Sequence, residues 1–189
     1  EYLLTSELEQ TNEPYAIAKI AGLKTAESFR RQYGHDFISI MPTNLYGPND
    51  NFDPQTSHVI PGLIARMTEA KKQGDKIFKA WGTGNPRREF LHVDDMARAC
   101  IVVRNYKGSD LPDWLNVGTG EDISIKELVY LVKEAVGFDG EIVFDTSKPD
   151  GTMKKLLDVS KLNGLGWNSK VNLGNGIKTS VNFYNDLTK

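Results

Sequence analysis

Tyr15 and Lys19 stand four residues apart in NEPYAIAKIAG. On a helix that spacing puts both side chains on one face. A phenol beside an ammonium suits carbonyl reduction. When hydride reaches a carbonyl carbon, the oxygen needs a proton, and a tyrosine hydroxyl can donate it. An ordinary tyrosine titrates at about 10, and a neighbouring lysine favours the phenolate and lowers that value. The same lysine can hold a ribose hydroxyl. The spacing fits a plainer arrangement as well, a helix start with a packed tyrosine and a solvated lysine. The pair alone does not choose between them.

His58 is the next group able to move a proton. An ordinary imidazole titrates at about 6.5 and can donate near neutrality; a loop histidine making one structural hydrogen bond is the plainer alternative. His92 with Asp94 and Asp95 invites a metal reading. An aspartate before a helix is an ordinary cap, however, and no further histidine or cysteine cluster accompanies the group, so no metal is expected. Cys100 lies in the apolar stretch ACIVV and reads as a core thiol.

These residues need elements to position them. Residues 1–11 read as polar and irregular. Asn12 and Pro14 mark a helix start, and apolar residues repeat at helical spacing to about Tyr33. FISIM, residues 37–41, predicts a buried strand. Residues 42–58, rich in Pro, Asn, Asp and Gly, predict one long loop. A helix is expected over about 59–72, and strands at 76–81 and 89–93 flank a turn at GTGNP. Asp94 or Asp95 caps a helix to about Arg104, and residues 114–117 form a strand. Ser124 caps a helix that ends at Gly137. A strand at 141–144 and a helix at 173–187 close the chain. Alternating strands and helices predict an α/β fold.

The chain has 189 residues, enough for a substantial core, with 39% hydrophobic and 25% charged residues. No run of eighteen apolar residues exists, so no membrane span is expected. The opening EYLLTSELEQ lacks the basic and apolar regions of a signal peptide. The single cysteine cannot form an internal disulfide, and points to a reducing compartment. A net charge of −2 argues against non-specific nucleic-acid binding. It leaves open an anionic small ligand held by a few Arg and Lys residues.

Nowhere does a strand lead into a glycine-rich phosphate turn and a helix. An α/β chain that opens on a helix without that turn reads as the second half of a larger protein.

Six segments carry a resemblance: NEPYAIAKIAG around Tyr15, MPTNLYGPNDNF at 41–52, SHVIP at 57–61, REFLHVDDMA at 88–97, NVGTG at 116–120 and KPDGTMKKLLD at 148–158. In this order, through nearly the whole chain, they resemble the GDP-L-fucose synthases, which are NADPH-dependent extended short-chain dehydrogenases/reductases. YxxxK and HVDD are shared broadly in that superfamily; PTNLYGPNDNF, SHVIP and KPDGT with KKLLD are more specific.

The resemblance implies the C-terminal part of such an enzyme. Residues 1–57 would be the end of a Rossmann-type domain. Residues 58–189 would be mostly the substrate-binding domain, with segments returning to the Rossmann sheet. The reaction implied is 3,5-epimerisation and 4-reduction of GDP-4-keto-6-deoxy-D-mannose. Tyr15 would be the general acid at carbon 4, with Lys19 lowering its pKa and binding the nicotinamide ribose of NADP(H). Pro42, Thr43, Asn44 and Leu45 would line the nicotinamide site, as suits a loop after a buried strand. His58 would be the acid of the epimerisation, within reach of the cofactor. Arg66, Trp81, Arg88, Asp150 and Lys155 would contact the GDP-sugar. Arginine suits a diphosphate because it can make two parallel hydrogen bonds.

The family's glycine-rich turn, catalytic serine and epimerisation cysteine would precede Glu1. The isolated chain is therefore expected to show no turnover and at best weak NADPH binding. A cytoplasmic homodimer, paired through the helix carrying Tyr15, is also implied. Two other readings stand beside this one: another nucleotide-sugar epimerase or dehydratase, and a non-enzymatic nucleotide-binding or scaffold module.

Overall fold

Glu13 and Pro14 open α1 (Glu13–Tyr33), where the proline ring supplies a helical φ and its missing N–H costs nothing. Gly34 ends it at φ 68°, donating its N–H to the Arg30 carbonyl at 3.0 Å. The computed structural model describes residues 5, 7, 8 and 10–189. Much of the irregular stretch expected at 1–11 therefore lies outside the described residues. The chain divides into two compact units. One comprises the described residues up to Met41 with Arg104–Leu115; the other comprises Pro42–Val103 with Asn116–Lys189.

In the first unit α1 buries only Leu23 and Glu27. Arg30 fixes its C-terminal end, donating to the carbonyls of Pro112 and Leu111, each at 3.0 Å, and to that of Gly108. Glu27 is held by Lys24 at 2.8 Å and Arg31 at 2.5 Å. The strand expected at 37–41 begins later: β1 spans Ser39–Pro42 and is only half-buried. Phe37 is exposed, stacked on His35 with centroids 5.3 Å apart, so its ring serves an aromatic cluster after α1 and not a sheet interior.

The second unit holds the main core. The expected loop at 42–58 contains β2 (Asn44–Tyr46), whose polar first residue hid it. α2 (Val59–Gln73) follows, then β3 (Ile77–Trp81). The strand expected at 89–93 is β5 (Phe90–His92), and a separate short strand, β4 (Arg87–Arg88), precedes it. α3 (Val93–Arg104) leads through residues 108–110 to β6 (Trp114–Val117), which pairs with β1. A short β7 (Ile123–Ser124) precedes α4 (Ile125–Val136). The Ser124 side chain and Glu127 form a reciprocal capping box there, and Gly137 closes the helix at φ 68°. Then come β8 (Glu141–Asp145), β9 (Lys154–Lys155), α5 (Ser160–Gly164) and α6 (Leu173–Leu187).

β2 runs parallel to β5, and β3 parallel to β8. β4 lies between antiparallel β7 and parallel β9. The fold is α/β. α2, α4 and α6 pack together around Ile64, Met67, Leu128, Val129, Val132 and Ile177, all fully buried. Each such side chain contributes about 1.5–3 kcal/mol.

Cys100 corrects an expectation: its thiol is exposed, not in the core. Ala99 and Val103, four apart, take the buried face of α3, and Cys100 and Ile101 point outward. No helix among the described residues is long and apolar enough to cross a membrane.

Candidate functional site

Tyr15 and Lys19 lie on the first two turns of α1, both exposed. The Lys19 ammonium is 5.4 Å from the Tyr15 ring centroid, as a four-residue spacing on a helix allows. Both belong to the first compact unit. The other candidate residues belong to the second.

Pro42–Leu45 is a shaped segment. Thr43 is buried, and its N–H donates to the Val117 carbonyl at 2.9 Å. Its hydroxyl donates to the Glu89 carbonyl at 3.2 Å, and the Asn44 amide donates to the same oxygen at 2.8 Å. Pro42 remains exposed and Leu45 half-buried.

His58, Arg66 and Trp81 come together. They line one cavity of about 520 Å³, walled by Leu63, Ala80 and Val129. His58 stands just before α2, and its imidazole makes no hydrogen bond among the described residues. Arg66, two turns into α2, lies between two rings, its guanidinium carbon 4.9 Å from the Trp81 centroid and 5.4 Å from that of Phe78. Its Nε donates to the Gly62 carbonyl at 3.3 Å, and no carboxylate pairs with it among the described residues. Loss of water around the guanidinium pulls its pKa below the ordinary arginine value. A half-buried cation with unfilled donors in a cavity wall is suited to an anion.

Arg87 and Arg88 are separated by their partners. Arg87 pairs with Asp122 at 2.6 Å and reaches Glu127 at 3.8 Å. Among the described residues Arg88 donates only to the Arg87 carbonyl, at 2.8 Å, and its remaining donors are unfilled there. Lys155 lies opposite Arg88 in the β4–β9 register and is exposed. Asp150 is occupied: its carboxylate accepts from the Thr83 N–H at 2.9 Å and from the Thr83 hydroxyl at 2.6 Å. Those bonds, the hydroxyl first, hold its pKa below the usual carboxylate range. Thr83 follows Trp81 by two residues, so the bond ties the 150 loop to the end of β3.

Thr83 and Glu89 were not among the residues singled out from sequence. Glu89 is fully buried between β4 and β5, and an acid directly before the apolar Phe90 and Leu91 was the available signal. Asp95, also fully buried, is taken by Arg98 and by the N–H groups of Lys170 and Val171. Among the described residues no group of three His, Cys, Asp or Glu could hold a metal ion.

The model of the NAD dependent epimerase/dehydratase family matches residues 1–118, well over half of the chain. The chain belongs to that family. Within it, the chain is 54% identical over 183 residues to GDP-L-fucose synthase 1 of Arabidopsis thaliana, covering 96% of this chain and 56% of that protein. It is 51% identical over 189 residues to GDP-L-fucose synthase of Escherichia coli strain K12, covering 96% and 59%. A solved GDP-L-fucose synthetase from Naegleria fowleri, bound to NADP, superposes with a TM-score of 0.89 at 29% identity, covering 98% of this chain and 60% of that one. The chain spans a little over half the length of the curated family members it matches.

Proposed function

We propose that this chain carries the nucleotide-sugar site and part of the catalytic apparatus of a GDP-L-fucose synthase. That enzyme converts GDP-4-keto-6-deoxy-D-mannose to GDP-L-fucose with NADPH. The observation that carries this reading is the shared cavity of His58, Arg66 and Trp81. It offers a proton donor, a guanidinium with no acid partner among the described residues and a flat aromatic face in one place, as a sugar linked to a nucleoside diphosphate requires. The names of the family members matched above support it.

In this reading Arg66, Arg88 and Lys155 bind the diphosphate, Trp81 stacks on the ligand, and Asp150 accepts from a ligand hydroxyl or amine. At carbons 3 and 5, a proton leaves one face of the sugar and another arrives on the opposite face. His58 donates the arriving proton, and the opposing base is assigned to a residue outside this chain.

At carbon 4, NADPH when bound supplies a hydride to the carbonyl carbon. The Tyr15 hydroxyl then gives its proton to the oxygen, and Lys19 favours the phenolate left behind. Lys19 also holds the nicotinamide ribose. Pro42–Leu45 suits one wall of the nicotinamide site, because the Thr43 and Asn44 side chains are both fixed on the Glu89 carbonyl while Pro42 stays open. The domain reading follows: 1–57 ends the Rossmann-type part, and 58–189 is mostly substrate-binding. A cytoplasmic homodimer completes it, resting on the family resemblance and the lone cysteine.

The test is turnover in the full chain, meaning these 189 residues joined to the dinucleotide-binding part that this reading places before them. NADPH and GDP-4-keto-6-deoxy-D-mannose should give GDP-L-fucose, one NADPH oxidised per product. A product formed without net NADPH oxidation would instead indicate an epimerase or dehydratase that regenerates its cofactor. Absence of both turnover and GDP binding would indicate a scaffold.

A further inference from the structure

Glu89 is fully buried, yet no cation pairs with it among the described residues. A buried carboxylate is costly unless its oxygens are hydrogen-bonded. Here three groups from two separate segments supply those bonds. One oxygen accepts from the Gly120 N–H at 2.8 Å and the Thr119 hydroxyl at 3.4 Å. The other accepts from the Leu157 N–H at 3.0 Å. The backbone carbonyl of the same residue takes the Thr43 hydroxyl and the Asn44 amide.

Glu89 thus ties three segments. Its carbonyl fixes Pro42–Leu45. Its carboxylate fixes the 118–120 turn and the strand end after Lys155. Its chain neighbour is Arg88, whose register partner is Lys155. Gly118 lies so close that an added Cβ there would collide with the carboxylate oxygen, which is why the turn runs without a side chain at that point.

We propose that Glu89 is a positioning residue for the nucleotide-sugar site. Its carboxylate sets Arg88 against Lys155, while its carbonyl independently sets the cofactor segment. This rests on the functional reading given above. The two halves of the residue predict a split. In Glu89→Gln, a terminal NH2 replaces one acceptor and faces an N–H donor at Leu157 or at Gly120. The backbone carbonyl, and with it Thr43 and Asn44, is untouched.

The experiment is isothermal titration of the full chain with GDP and, separately, with NADPH. Glu89→Gln should weaken GDP about tenfold, the size of one lost charge-assisted hydrogen bond, and change NADPH affinity by less than about twofold. Saturating kcat should stay within about threefold while KM for the GDP-sugar rises. Gly118→Ala displaces the carboxylate without removing it, and should give the same split if Glu89→Gln does not fold. Unchanged GDP affinity in both variants overturns the proposal. Equal weakening of GDP and NADPH also overturns it, because a general loss of structure would move both. A wild-type chain that binds no GDP overturns the functional reading itself, and the positioning role with it.

Discussion

The guanidinium of Arg66 lies 4.9 Å from the centre of the Trp81 ring and has no acid to neutralise it among the described residues. The pair is joined from different elements, α2 and the end of β3, across the cavity that also takes in His58. Its charge and stacking face both remain available to a ligand.

The first prediction concerns that pair. Arg66→Ala should weaken GDP binding tenfold or more, since a charge-assisted hydrogen bond contributes roughly 1.5–3 kcal/mol. The cost in stability should be about 0.5–2 kcal/mol, because the half-buried guanidinium lies between the exposed and the desolvated limits of a cation–π contact. Arg66→Lys should fall between, because lysine keeps the charge but loses the planar fork. Titration calorimetry and thermal melts read the two effects separately.

The second concerns Tyr15. Tyr15→Phe keeps the ring beside Lys19 and removes only the hydroxyl. In the full chain kcat for reduction should fall about 10²–10⁴-fold, with KM for the GDP-sugar nearly unchanged. Steady-state NADPH oxidation measures both.

A third follows from Asp122. Arg87 bonds its carboxylate at 2.6 Å and, with further help from Lys154, holds its pKa below the usual carboxylate value. Because the folded value is the lower one, the stabilisation is complete above the unfolded carboxylate value of about 3.9. It disappears as pH falls through the lower, folded value. Wild type should therefore melt above Asp122→Asn at neutral pH, and the difference should close only under acid. Melting curves across pH test this; a difference independent of pH contradicts it.

The fourth is a core substitution. Leu128 on α4 is fully buried among α2 and α6 side chains. Leu128→Ala should cost about 2–5 kcal/mol, read as a shift in the denaturant midpoint. Tyr130, exposed on the same helix, should tolerate alanine with little change.

What the sequence made legible follows from what is local. The α4 capping box and Gly137, and the apolar period of α6, are written within a dozen residues each, and both helices were expected at nearly their observed bounds. β2 was not, because Asn44 and Tyr46 sit among loop-forming residues and become a strand only by pairing with Phe90–His92. β9 is likewise made by Arg87–Arg88, more than sixty residues earlier. Arg66 could be placed on a helix, but the burial between Phe78 and Trp81 that makes it suited to an anion is a tertiary fact. Glu89 shows the same limit: its charge was visible, and the N–H groups that make it tolerable come from positions 120 and 157.

The central claim is tested most directly by a crystal structure of the full chain with GDP. The account predicts diphosphate oxygens within hydrogen-bond distance of the Arg66 guanidinium, in the cavity that holds His58 and Trp81. A nucleotide bound elsewhere, with that cavity holding only water, contradicts it.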